Sequence, residues 1–268
     1  MDFLEKIISF LQSFRMTKPT NYSWFHILSL LVTVLITIIL IYKKPNKKKT
    51  MLVISIIMIL FEIYKQLSFS FDNGNWKYQW YGFPFQFCAT PMYIALLAGL
   101  TKNKYIEEYC YSFLATFGLI AGISVMLYPN TVFVKEILIN VQTMEHHGFM
   151  VIIGLFLLLT HVTNREYKDV IKEGFIVFFI LVLFALIIDI GTYYLNIDGG
   201  LEMFFISPFH VSSLPVFNVI YNKVPYIIFL FIYLFSFFLG GSIMYGIGKI
   251  LKKLRRKYEA SSCFTRKK

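Results

Sequence analysis

Seven stretches of this chain, at roughly residues 25 to 42, 51 to 71, 84 to 100, 109 to 128, 147 to 163, 174 to 195 and 225 to 248, are apolar enough and long enough to cross a bilayer. That repetition fixes the solvent as lipid. With 57% hydrophobic and 15% charged residues, 29 Phe and 18 Tyr, the chain holds more apolar surface than a soluble core can bury. The expected fold is all-α, an integral membrane seven-helix bundle. Residues 1 to 20 should form an amphipathic interfacial helix, because Phe3, Leu4, Ile7, Ile8, Leu11 and Phe14 recur at helical spacing with Asp2, Glu5, Lys6 and Gln12 off that stripe. Residues 21 to 250 form the membrane domain and 251 to 268 a basic tail. No fixed-period repeat divides it, and the N-terminus lacks the apolar segment and small-residue cleavage site of a secretory signal.

The basic residues set the orientation. The loop Lys43-Lys44-Pro45-Asn46-Lys47-Lys48-Lys49, the tail from Lys249 to Lys268 and the loops at 101–108 and 164–173 carry nineteen Lys and Arg, against seven on the other side. The excess belongs in the cytoplasm. An N-terminus outside and a C-terminus inside the cell membrane satisfies every loop. The net charge of +11 then reflects topology rather than a nucleic-acid surface. The longer connections, 72–83, 129–146 and 196–224, gather on the outer face, where any chemistry is expected. Cys88, Cys110 and Cys263 fall at different membrane levels, so no disulfide framework is available.

Polar residues inside such runs are costly and mark structure or function. Glu62, Lys65 and Gln66 share one helical face as a self-neutralising pair, suited either to a lipid headgroup or to a structural ion pair. Asp189 should seek a partner, with Lys65 or a histidine as candidates. Gly118, Gly122 and Ser112 have the spacing of close helix packing. His26 reads as interfacial, His161 as solvated or capping at the inner end, and His210 sits in an outer loop with its role open.

Two clusters carry the possible chemistry. Gly82-Phe83-Pro84-Phe85-Gln86-Phe87-Cys88-Ala89-Thr90-Pro91 brings a thiol into the third run between two prolines that prevent a regular helix. Irregular backbone at that depth must face protein or a wet cavity. Glu145-His146-His147-Gly148 opens the fifth run, with a carboxylate able to orient a ring and a glycine permitting close approach. The spacing lacks the His-x-x-x-His arrangement of a zinc site, so no metal is expected, and no P-loop, GxSxG elbow or dinucleotide motif appears in a credible context. A thiol beside an imidazole is the minimum for acyl transfer through a thioester. A free cysteine can equally be a small core hydrophobe.

These motifs, with Leu127-Tyr128-Pro129 closing the fourth run, Gln142-Thr143-Met144-Glu145-His146-His147-Gly148 opening the fifth and Val224-Pro225-Tyr226 before the last, resemble the YwaF-like bacterial membrane proteins and their eukaryotic relative, transmembrane protein 164. The resemblance covers roughly residues 25 to 250. It implies a seven-span fold akin to the androgen-induced-protein hydrolases and acyl transfer to ether-linked phospholipid, with Cys88 as nucleophile and His147 as base. One departure stands out. The family's leucine-histidine-leucine-cysteine run is Phe85-Gln86-Phe87-Cys88 here, and Gln86 can donate a hydrogen bond but cannot act as a base.

The resulting expectation is a lipid acyltransferase or acyl hydrolase working at the outer face on a membrane phospholipid or acyl-lipid, without a cofactor. Cys88, His147 and His146 form its catalytic group, and Gln86, Glu62, Lys65, Glu145, Asp189 and His210 its substrate-binding set. The basic tail would meet anionic lipid headgroups. Two rival readings follow from the same residues: a transporter or channel whose path is lined by Glu62, Lys65 and Asp189, and a non-enzymatic membrane scaffold. Flux that depends on Asp189 but not on Cys88 would mark the first, and an inert thiol the second.

Overall fold

A computed structural model describes residues 3–72 and 74–265. Asp2, Arg266, Lys267, Lys268 and the side chain of Cys263, all invoked above, lie outside what is described. The fold is all-α. Its helices are α1 (Phe3–Gln12), α2 (Trp24–Lys43), α3 (Lys47–Ser70), α4 (Thr90–Leu100), α5 (Lys104–Phe113), α6 (Leu119–Leu127), α7 (Ile137–Thr160), α8 (Tyr167–Tyr194), α9 (Phe217–Tyr221) and α10 (Tyr226–Thr265). A minimal antiparallel hairpin, Phe71–Asp72 with Asn75–Trp76, follows α3.

Among the described residues, six helical stretches are long and apolar enough to cross a membrane: α2, α3, the α5–α6 unit, α7 with its following turn, α8 and α10. The third apolar run differs from expectation. Its helix, α4, has eleven residues and rises only about 16 Å, against the ~30 Å of a hydrocarbon core. The residues before it stay irregular because Pro84 and Pro91 supply no amide hydrogen, and Pro91 is accommodated in the first turn of α4. Gln86 O accepts from both Ala89 N and Thr90 N, closing a tight turn around Cys88.

Cross-links between elements separate two ends of the bundle. At one end Lys48 reaches the carbonyl of Thr101 and Lys252 reaches Asn164, so the basic loop, the α4–α5 connection, the 161–166 turn and the far part of α10 lie together. There Arg165 binds Glu173 through both terminal nitrogens, at 2.6 and 2.7 Å, and His161 Nε2 lies 2.8 Å from Glu108 Oε2. His161 is the C-terminal cap of α7, its amide donating to Leu157 O, and its ring also joins Glu108 beside the Arg165 ion pairs. Arg165, outside the helices, is held above its ordinary pKa chiefly by its hydrogen bonds to Glu173.

At the opposite end His26 is fully engaged, accepting from Tyr22 N at 2.8 Å and donating to Met126 O at 2.8 Å. Met16 N donates to Lys135 O and Ile137 N to Phe14 O, so the segment after α1 is stitched to the start of α7. Gln12 Nε2 donates to Ser68 O and Phe71 O at 2.8 and 2.9 Å. α1 therefore lies across the ends of α3 and α7, with Ile8 buried and Phe3, Leu4, Ile7 and Phe10 exposed.

The interior is held by close helix contacts and aromatic packing. A Cβ on Gly122 would fall 2.8 Å from Met150 Cβ and 3.1 Å from the carbonyl of His147, so glycine there lets α6 press directly on α7. Between α5 and α6, Leu114–Gly118 winds as a π-helix, and Phe117 stacks on Phe178 of α8. Ser112, expected only to permit close packing, donates to Glu173 at 2.7 Å.

Candidate functional site

The cavity at the α1 end has a volume of about 710 Å³. It brings together Cys88, Gln86, His146, His147, Glu62 and Lys65, which reach it from the irregular 83–89 segment, α7 and α3. Gln12, Arg15 and Glu136 also line it. These last three escaped the sequence reading, since nothing in residues 1–16 signals that α1 lies across another element. The hydrogen bonds of Gln12 and the Arg15–Glu136 ion pair at 3.6 Å place them at the cavity rim.

The two histidines take different positions on α7. His146 Nε2 donates to the backbone carbonyl of Cys88 at 3.0 Å. His147 Nδ1 donates to the carbonyl of Thr143, one turn earlier, at 2.7 Å. A carbonyl oxygen has no hydrogen to give, so in each ring the contacting nitrogen must carry the proton. The lone pair is left on His147 Nε2 and on His146 Nδ1, and both atoms are buried without a partner among the described residues. His147 is therefore in the tautomer whose Nε2 can accept a proton. Thr143, at four residues' spacing from His147, is the residue that sets this, and helical periodicity could have pointed to it. No hydrogen bond joins the Cys88 sulfur to either ring among the described residues; the thiol is half-buried and lines the same cavity.

Opposite the histidines, Lys65 Nζ lies 2.8 Å from Glu62 Oε1. Gln66 Nε2 donates to Glu62 Oε1 at 2.7 Å and to Gly82 O at 2.6 Å, and Tyr78 Oη donates to Gln66 Oε1 at 3.0 Å. The ion pair expected from the sequence is thus tied to the chain just before the Cys88 turn. Glu62 is 4% exposed, so its charge is compensated by Lys65 rather than by water.

A family model described as the TMEM164 family matches residues 18–245, most of the chain. The chain belongs to the TMEM164 family. The match agrees with the resemblance to transmembrane protein 164 and carries no YwaF-like label. No curated protein and no solved structure matches the chain.

In this member of the TMEM164 family three candidate residues lie away from the Cys88 cavity. Asp189, in α8, pairs with neither Lys65 nor a histidine: its Oδ1 accepts from Met203 N at 2.6 Å. That bond steadies a turn in which Phe204 and Phe205 both adopt positive φ, 55° and 60°, a conformation that costs side-chain-bearing residues of order 1 kcal/mol each. The Phe204 ring packs at 5.2 Å on Phe87, and Gln86 Nε2 donates to Glu202 O at 3.1 Å. Asp189 is thus linked to Cys88 through the loop on which the cysteine segment rests. His210 lines a second cavity beside Glu202 and Asp198, bounded on one side by Gln86. Burial pushes the Glu202 carboxyl above its ordinary range, against the opposing hydrogen bonds from Ser213. Glu145 faces a third space, between α2 and α7.

Proposed function

We propose that the cavity at Cys88 is a lipid acyl-transfer site, with His147 as general base. The observation that carries this reading is that His147, whose buried Nε2 has no partner among the described residues, lines the same cavity as Cys88. The Cys88 proton passes to His147 Nε2, and the thiolate attacks the carbonyl of a lipid ester. The tetrahedral intermediate collapses with loss of the lysolipid oxygen, which takes the proton back from His147. A second hydroxyl, lipid or water, then attacks the thioester while His147 accepts its proton. Cys88 leaves and recovers that proton, giving acyl transfer or hydrolysis respectively.

The remaining residues have matching roles. Gln86 commits one amide hydrogen to Glu202 O and offers the other to the developing oxyanion. Lys65, already balanced by Glu62, is suited to a headgroup phosphate. His146 positions Cys88 through its backbone. Catalytic hydrogen bonds of this kind commonly tighten when substrate enters. The chain crosses the cell membrane seven times in this reading, α4 and the irregular segment before it together making the third crossing. The N-terminus and the cavity are outside, α1 rests at the interface, and the basic tail meets anionic lipid inside. A transport path through Glu62, Lys65 and Asp189 is less well supported, because Asp189 is occupied with Met203 N.

The test is turnover of an ester-labelled phospholipid by the protein reconstituted in vesicles. Cys88→Ala should abolish it, and hydroxylamine should release the acyl group from trapped wild-type protein. Unchanged turnover in Cys88→Ala, or acyl label resistant to hydroxylamine, rejects the thioester route.

A further inference from the structure

Glu145 precedes His146 in the chain but turns to another side of α7, since successive helical side chains diverge by about 100°. It lines a groove of about 260 Å³ between α2 and α7, walled by Phe25, Leu28, Val32 and Phe149. At its base a Cβ on Gly148 would lie 2.7 Å from Thr33 Oγ1, so the two helices touch there. Leu28 and Val32 are exposed along α2, and the groove opens sideways toward lipid.

Both carboxyl oxygens of Glu145 are buried without a hydrogen-bond partner among the described residues. The neighbouring hydroxyls are already spent on their own helix: Ser29 Oγ donates to Phe25 O at 2.9 Å and Thr33 Oγ1 to Ser29 O at 2.8 Å. A carboxyl in such surroundings is costly unless something binds it.

We propose that this groove is a lipid site separate from the Cys88 cavity, and that its occupant is a neutral glycerolipid whose free hydroxyl pairs with Glu145. Three features select that class. No Lys or Arg lines the groove, so a phosphate there would meet a carboxyl with no compensating charge. A hydroxyl both donates and accepts, which suits two unpaired carboxyl oxygens. The depth also fits: Glu145 lies eight residues along α7, about 12 Å from its start, where a glycerol hydroxyl can reach while its chains lie along the apolar walls. The inference stands independently of the acyl-transfer reading.

The full-length protein in phosphatidylcholine nanodiscs would be irradiated with a photoactivatable diacylglycerol, and in parallel with photoactivatable phosphatidic acid and sphingosine. Labelled peptides would be mapped by mass spectrometry and thermal unfolding recorded for each variant. Diacylglycerol should label α2 and α7 around Ser29 and Glu145, and unlabelled diacylglycerol should compete. Glu145→Gln, whose amide also donates and accepts, should keep labelling within about twofold, whereas Glu145→Leu should lower it about tenfold or more. Val32→Trp, which narrows the groove without touching the carboxyl, should lower it too. Absence of diacylglycerol labelling there, indifference to Glu145→Leu, or equal labelling by phosphatidic acid overturns the proposal. Labelling by sphingosine that Glu145→Gln abolishes overturns it as well, because the ligand would then be a cation.

Discussion

His146 Nε2 donates to the carbonyl oxygen of Cys88 across 3.0 Å. A side chain of α7 therefore holds the backbone of the residue whose sulfur enters the cavity, while its neighbour His147 is anchored on Thr143 and keeps a free nitrogen. Adjacent histidines end up in different work because their other partners differ.

Replacement of His146 tests the holding role. His146→Ala should lower unfolding stability in detergent by about 1 kcal/mol, the usual worth of one hydrogen bond, and reduce acyl turnover mainly through kcat. His146→Gln, which can donate to the same carbonyl, should restore a large part of both. Equal loss in the two variants would mean that the ring acts in the reaction itself.

His147 should respond differently. His147→Ala removes the proposed base and should lower turnover roughly 10²- to 10⁴-fold, a loss far beyond the ~1 kcal/mol of stability that its bond to Thr143 O supplies. The rate at which a maleimide modifies Cys88 should fall as well, because thiolate is the reactive form. A labelling rate equal to wild type would remove His147 from the base role.

Asp189 should matter for the Cys88 loop without taking part in chemistry. Asp189→Ala leaves Met203 N buried and unpaired, a loss of about 1 to 3 kcal/mol in stability, while Asp189→Asn keeps the acceptor at Oδ1. Hydrogen exchange across residues 83–89 and 201–206 should therefore rise in the alanine variant and stay near wild type in the asparagine variant. Exchange that rises only across 201–206 would break the proposed link to Cys88.

Glu202 gives the protein a pH dependence with a definite sign. Burial raises its carboxyl pKa in the folded chain, so folding favours the protonated form. This contribution is present below the ordinary carboxylate range and is lost as pH rises through the raised value. The melting temperature should fall as pH rises from the ordinary carboxylate range through that raised value, and Glu202→Gln, which still accepts from Ser213 N, should flatten that slope. A slope unchanged by the substitution would assign it to another group.

Much of the architecture was legible in the chain. The six long helices follow from uninterrupted apolar length, which lipid rewards regardless of partner. The third run is longer than α4 because hydropathy counts Phe85 and Phe87 as span, although Pro84 and Pro91 deny them a helix. The convergence of Cys88 with the His146–His147 pair could be argued from their polarity and irregular surroundings. The partner of Asp189 could not, because it is a backbone amide in a loop, and a backbone amide carries no residue-specific signal. Likewise, Gln12 and Arg15 reach the cavity through main-chain stitching of residues 14–16 to 135–137, which side-chain patterns do not encode.

The wider winding at Leu114–Gly118 makes this helix asymmetric toward length changes. A π turn holds one residue more than the α turn it replaces, so deleting a single residue there relaxes the segment into regular helix and leaves the faces before and after it in register. The same deletion three residues later would swing Gly122 about 100° from Met150 and drive a bulky side chain between α6 and α7. Single-residue deletions across homologous chains should accordingly cluster in those five positions and avoid the turns on either side.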